Sequence, residues 1–246
     1  MHRGGRAARL AVLVGLAAVV GCAGPRDDGP EPPAGADALV LRLTDLPGLL
    51  PPGGTAALPP SFSLFGDGRL ISVPVGPADH WPQLREDRVP REDVRDLLRR
   101  AVALPDGAAG GDPDGPVTRV VVGTATGPRA VTVDRADPAL ARLRTALAGY
   151  ADGPPVPYEP TAVAVIATPV DSPQPARPWP LPALTGEPLG GTSAGSTCLV
   201  LRGADLDAVR REAATAGAAT PWRDGDRLWQ VTPRPLLPDE AGCADL

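Results

Sequence analysis

Short apolar runs alternate along this chain with connectors rich in proline and glycine, and the period of each run sets an expectation. Ala38 to Thr44 (ALVLRLT) has the length of a buried strand and is followed by a Pro/Gly loop through Pro60. Ser61 to Phe65 and Arg69 to Val73 flank a Gly66-Asp67-Gly68 tip, where glycine supplies the positive φ of a tight turn, so the segment reads as a hairpin. Trp81-Pro82 falls in a polar loop. Between Arg91 and Leu104, Val94, Leu97, Leu98, Ala101 and Val102 recur at helical offsets, which predicts an amphipathic helix stopped by Pro105-Asp106-Gly107. The following AAGGDPDG is a connector.

Val117 to Gly123 and Arg129 to Val133 form a second expected hairpin. Asp137 is then a good N-cap, Pro138 is pre-set for the first helical position, and Leu140, Leu143 and Leu147 stripe one face until Gly149. This unit reads ββαββα. Thr161 to Thr168 is a further strand, Asp171 to Gly191 a long Pro/Gly loop, and Thr197 to Arg202 another strand. A helix from Asp205 to Ala216, closed by Gly217, precedes a hairpin from Trp222 whose second strand continues to Thr232.

Short strands and helices without strict βαβ alternation predict an α+β fold, mainly antiparallel, with about three helices and two lobes meeting near Tyr158. The expected divisions are a leader over 1–21, a tether over 22–36, an α+β lobe over 37–158 and a second over 159–246. LVLRLTDL from Leu39 echoes LVLRGADL from Leu199, but Leu, Val and Arg are common here and the sequences diverge afterwards, so chance similarity is preferred to duplication.

Composition narrows the chemistry. Gly 29 and Pro 33 make up about a quarter of the 246 residues, yet 43% hydrophobic and 22% charged content still supports a packed core. All 24 basic residues are Arg, which excludes Schiff-base lysines, Ser-Lys dyads and the P-loop lysine. His2 and His80 are the only histidines, too few for a multi-imidazole metal site.

The N-terminus carries Arg3, Arg6 and Arg9 and no acid, then an apolar run from Leu10 to Val20, then Gly21 and Cys22. That is the three-part layout of a secretory signal, with an apolar run about half the roughly 20 residues a crossing helix needs. Val19-Val20-Gly21-Cys22 resembles the lipobox of bacterial prelipoproteins, in which a small residue precedes a cysteine that receives diacylglycerol through a thioether before the leader is cleaved. The resemblance implies that Cys22 becomes the lipidated first residue of the mature chain and that its partner is the lipid bilayer. Lipoboxes more often have Leu where Val19 stands. Ala23 to Ala36 (AGPRDDGPEPPAGA) has almost nothing able to pack and reads as an extended tether without fixed structure. Loss of the leader removes three Arg and no acid from a chain already at formal charge −5, which argues against nucleic acid as a partner.

With Cys22 lipidated, Cys198 and Cys243 remain as an even pair in an oxidising compartment, and a disulfide between them is expected. Closing a loop of about 46 residues corresponds to roughly 4 kcal/mol in the chain-entropy picture. A redox-active pair would need the close C-x-x-C spacing that these two lack.

Several motifs have plainer readings beside their functional ones. Gly191 to Gly195 fits G-x-S-x-G, but Ser193 follows a loop and precedes a strand, and no histidine lies downstream. Asp79-His80-Trp81 has no second histidine to complete a site. Asp112-Pro113-Asp114-Gly115 and Asp224-Gly225-Asp226 begin like calcium loops but lack the later ligands and read as turns. Trp179, within PQPARPWPLP, reads as part of a rigid strap packed on a sheet rather than as an exposed docking element. No catalytic residue, metal or cofactor is assigned.

The lipobox, the acidic tether, the FSLFGDG hairpin and the Cys-closed C-terminus with WQVTPRPLLPDE look similar to uncharacterised lipoproteins of high-GC Gram-positive bacteria, a resemblance that carries no activity with it. The expectation is a membrane-anchored extracytoplasmic binding or interaction module, with an envelope protein or glycan as further partner. An envelope hydrolase using a carboxylate pair is the alternative, and a protease inhibitor or accessory factor a weaker one.

Overall fold

A computed structural model describes residues 30–51, 53–74, 80–107, 115–124, 127–154, 156–172, 174–181, 183–190 and 195–246. The fold is α+β and mostly sheet, with two sheets and three α-helices among the described residues.

The first sheet is antiparallel throughout. Its strands are β1 (Leu39–Leu46), β2 (Phe62–Phe65), β3 (Arg69–Ser72), β4 (Arg85–Arg88), β5 (Val117–Thr124), β6 (Gly127–Asp134) and β7 (Val156–Pro157), in the order β6-β5-β1-β2-β3-β4-β7. Helices α1 (Arg91–Val102) and α2 (Pro138–Ala148) cover one face. Leu97, Leu98, Leu140, Leu143 and Leu147 pack there against Leu41, Leu43, Leu64, Val120 and Val122, which closes one apolar core. The α2 cap is as expected: Asp137 accepts from the backbone N–H groups of Ala139 and Leu140 at 2.7 and 2.9 Å.

The second sheet holds β8 (Ala162–Pro169), β9 (Arg177–Pro178), β10 (Glu187–Pro188), β11 (Thr197–Arg202), β12 (Pro221–Asp224) and β13 (Arg227–Pro235), in the order β10-β11-β8-β13-β12-β9. All its pairs are antiparallel except β9 with β12. β8 is buried from Ala162 to Thr168 because both faces are covered, and its near-continuous apolar run is the signature of that position. Its Val163, Val165 and Ala167 pack with Leu206 and Val209 of α3 (Gly203–Ala213) and with Trp179, Trp222 and Trp229. Trp81, from the loop before β4, inserts into this second core.

The C-terminal tail and a 3-10 turn at Gly54–Ala57 fill the space between the sheets. Leu237 joins Phe65 and Ile71 of the first sheet and Leu84 just before β4, whereas Leu236 joins Ala162, Ala164 and Cys198 from the second. Tyr158 sits at the crossing between sheets and donates its hydroxyl to the Leu236 carbonyl at 2.9 Å, and burial pushes its pKa up to about 12. No helix among the described residues is long and apolar enough to cross a membrane.

Three expectations are corrected. β4 has sequence REDR and no apolar period, so nothing in its pattern announces a strand; it is held by pairing with β3, and its Arg85 and Asp87 share one face at 2.6 Å. The loop from Asp171 to Gly191 contains β9 and β10, each too short to show alternation. The body begins before Asp37: Gly66 approaches the Pro33–Gly35 backbone so closely that a Cβ there would lie 2.2 Å from the Pro33 carbonyl oxygen, and Arg69 donates to the Ala36 carbonyl at 2.6 Å. Residues 33–36 therefore pack at the β2–β3 hairpin tip. The two echoing octapeptides are not equivalent, in line with the preference for chance similarity: Leu39–Leu46 is all strand whereas the second passes from β11 into α3 at Gly203, whose φ is +55°.

Candidate functional site

The face of the first sheet turned away from α1 and α2 carries the polar groups of interest. Residues paired across neighbouring strands point to the same face, so register places them in rows. Ser63, Arg42 and Val121 form one row, and Thr44, Arg119 and Thr132 form the next. Arg42 is embedded in the apolar LVLRL stretch of β1, and its charge is met by groups far away in sequence.

Arg42 donates through Nε to Ser63 Oγ at 3.2 Å, and its two terminal nitrogens lie 2.6 Å from Asp239 Oδ1 and 3.2 Å from Glu240 Oε1. Glu240 also receives both terminal nitrogens of Arg234 at 2.7 Å and the Leu237 N–H at 2.8 Å. Arg234 and Glu240 are 3% and 8% exposed, so this bidentate pair is a buried one. The Arg234 Nε has no partner among the described residues. Burial raises the Asp239 pKa, Arg42 opposes that rise, and the neighbouring Glu240 charge adds to it.

Beside this network runs a groove of about 390 Å³ between the first sheet and the tail. Leu46, Leu58, Pro60 and Val121 supply apolar wall, Thr44 and Thr55 hydroxyls, and Arg119 a guanidinium. Arg119 is exposed, and no hydrogen bond or ion pair engages it among the described residues. A smaller cavity of about 140 Å³ lies at the crossing between sheets, lined by Trp81, Leu84, Tyr158, Glu159 and Arg210. There the Arg210 guanidinium stands 5.1 Å from the centre of the Trp81 ring and binds Glu159 at 2.9 Å.

The carboxylates of the groove are all engaged. Glu240 has its accepting capacity filled, Asp239 shares the Arg42 guanidinium with it, and Asp245 accepts from the N–H groups of Ala241 and Gly242 at 2.8 and 3.0 Å. Among the described residues, His, Cys, Asp and Glu side chains gather nowhere in threes as a metal site.

Cys198 and Cys243 are joined as a disulfide with Cα atoms 6.0 Å apart, which ties the tail to β11. Cys22, the leader and the tether before Pro30 lie outside the described residues, as do Ser193, Asp79 and Asp112 to Asp114. His80 is half-buried, and burial lowers its pKa. Trp179 is packed as a strap, at 8% exposure: its Nε1 donates to the Ala183 carbonyl at 3.2 Å, and its ring meets Trp222 edge-on at 5.6 Å. Asp224-Gly225-Asp226 is the β12–β13 turn, and Asp224 accepts from the Leu184 N–H at 2.9 Å.

Sequence reasoning did not find Arg42, Arg119, Arg234, Asp239 or Glu240 as a group. The one available signal was a lone Arg at an interior position of the apolar ALVLRLT run, since a charge there needs a partner. No protein-family model matches this chain, and no curated protein and no solved structure matches it either.

Proposed function

We propose that this chain is an exported lipoprotein, acylated at Cys22 and held at the extracytoplasmic face of the cell membrane, where it acts as a binding module. The observation that carries this reading is the Cys198–Cys243 disulfide. Such a bond belongs with an oxidising compartment, and it leaves Cys22, directly behind the apolar leader run, as the remaining cysteine of three. Two acyl chains give stable anchoring where one is marginal. The tether's entry at the β2–β3 tip supports a body whose β1 leads from the anchored end towards the Leu46 end, with the groove beside it. The binding partner is a small molecule in that groove or an envelope component docked around it.

Intact mass and membrane fractionation of the full chain expressed in bacteria, beside Cys22→Ala, test the anchoring. The wild type is expected to start at Cys22, carry diacylglycerol and pellet with membranes, while the variant gains no acyl mass and retains its leader. A wild-type chain without acyl mass would overturn the reading.

A further inference from the structure

We propose that the groove beside β1 and β5 takes a small anionic amphiphile, its acid group on Arg119 and its hydrocarbon arm along Leu46, Leu58 and Val121. This rests on the binding-module reading above and gives it a ligand class. At about 390 Å³ the groove falls in the size range of small-molecule sites, roughly 300 to 1,000 Å³, which pair apolar walls with a few placed polar groups.

Charge selects the acid. The groove's acidic side chains are already engaged: Asp239 by Arg42, Glu240 by Arg42 and Arg234, and Asp245 by two backbone N–H groups. Arg42 and Arg234 are neutralised by the same contacts. Arg119 is the groove's cation without an ion pair among the described residues; its directly paired same-face neighbours on β1 and β6 are Thr44 and Thr132, and the diagonal Asp134 carboxylate is engaged by the Ala136 N–H at 2.8 Å. A planar guanidinium beside a threonine hydroxyl presents several donors to one oxyanion. Val121 lies two residues along β5 on the same face, and Leu46 lies two residues beyond Thr44 on β1, so apolar surface begins on both sides of the charge. Leu58, across the groove, closes the apolar side. A carboxylate and a sulfonate head would both satisfy this geometry, whereas a neutral alcohol of equal length would use only the wall.

The probes are therefore octanoate and octanol. Each is titrated calorimetrically into the full-length protein held in phosphatidylcholine nanodiscs, with empty discs as blank. Wild type is expected to bind octanoate saturably above the blank. Arg119→Gln should weaken octanoate about tenfold, the loss of one charge-assisted contact, and leave octanol unchanged, while Arg119→Lys should restore part of the affinity. Val121→Trp should block both probes, with Leu46→Trp as the replacement should Val121→Trp lower the melting temperature. The proposal is overturned by absence of saturable octanoate heat above the blank, or by equal octanoate affinity in wild type and Arg119→Gln. If Cys22 carries no lipid, the same titration runs on the unanchored chain, so failure of the anchoring reading does not decide this one.

Discussion

Asp45 lies on the helix-covered face of β1, where Arg144 clamps its carboxylate, Thr118 donates at 2.9 Å, and Arg135 stands 3.8 Å away. Burial pulls its pKa up, but the hydrogen bonds and charges of Arg144, Thr118 and Arg135 together leave it below the ordinary 3.8. Its stabilisation is therefore complete above that ordinary value and disappears as pH falls through the lower folded value. Asp239 has the opposite sign: burial raises its pKa, so its ionisation costs stability as pH rises from 3.8 towards the raised value. Urea unfolding from strongly acidic to neutral pH should show Asp45→Asn losing about 2 kcal/mol at neutrality and losing the steep acid limb. Asp239→Asn should instead flatten the decline above 3.8. An acid limb unchanged in Asp45→Asn would contradict this assignment. Neither site was legible in the sequence, because the partners lie 99 and 197 residues away. The Asp137 cap was legible because its partners are two and three residues on.

Among elements, those with a full period or a turn of their own were readable. The Gly66-Asp67-Gly68 hairpin, α1, α2, β8 and β11 stand within a few residues of their expected bounds, since side-chain period and glycine geometry act locally. β4, β9 and β10 were not readable, because only neighbouring strands make them strands. The docking of Pro33 to Ala36 was likewise invisible, as it depends on the missing Cβ of Gly66. Gly66→Ala would put a methyl group 2.2 Å from the Pro33 carbonyl oxygen. The expected consequence is displacement of that segment, at a cost of about 1–3 kcal/mol, with faster proteinase K cleavage near residues 30–36 than in wild type. Equal cleavage rates would show that the segment does not depend on this contact.

For the whole molecule, the tail ties the two sheets together, beside Trp81 and the Gly54–Ala57 turn. Glu240 contacts Arg234 on β13 and Arg42 on β1, and the disulfide and the Arg202 contact to the Ala241 carbonyl at 2.8 Å hold the tail to β11. Glu240→Ala leaves two mostly buried guanidiniums short of their acid, which should cost about 3–5 kcal/mol in urea unfolding. The double change Arg234→Met with Glu240→Leu should recover much of that loss, because apolar replacement removes the unpaired charge. Trp81, Trp179, Trp222 and Trp229 all sit in the second core, so their fluorescence reports that sheet while far-ultraviolet dichroism reports both. The two signals should move together in wild type. Separate transitions in Glu240→Ala would identify the network as the coupling between the sheets.

The amino-acid sequence by itself determined the α+β class, most of the regular elements and the pairing of Cys198 with Cys243. Each follows from local periodicity, turn chemistry or a count of cysteines once Cys22 is set aside. Tertiary structure alone decided that β1 turns its Arg42 face towards the tail, that Trp81 enters the second core, and that a groove with Arg119 on its wall opens between the first sheet and the tail. These depend on contacts between segments far apart in the chain. Such contacts are selected by the burial and charge pairing of the assembled whole, and no single stretch of the sequence carries them.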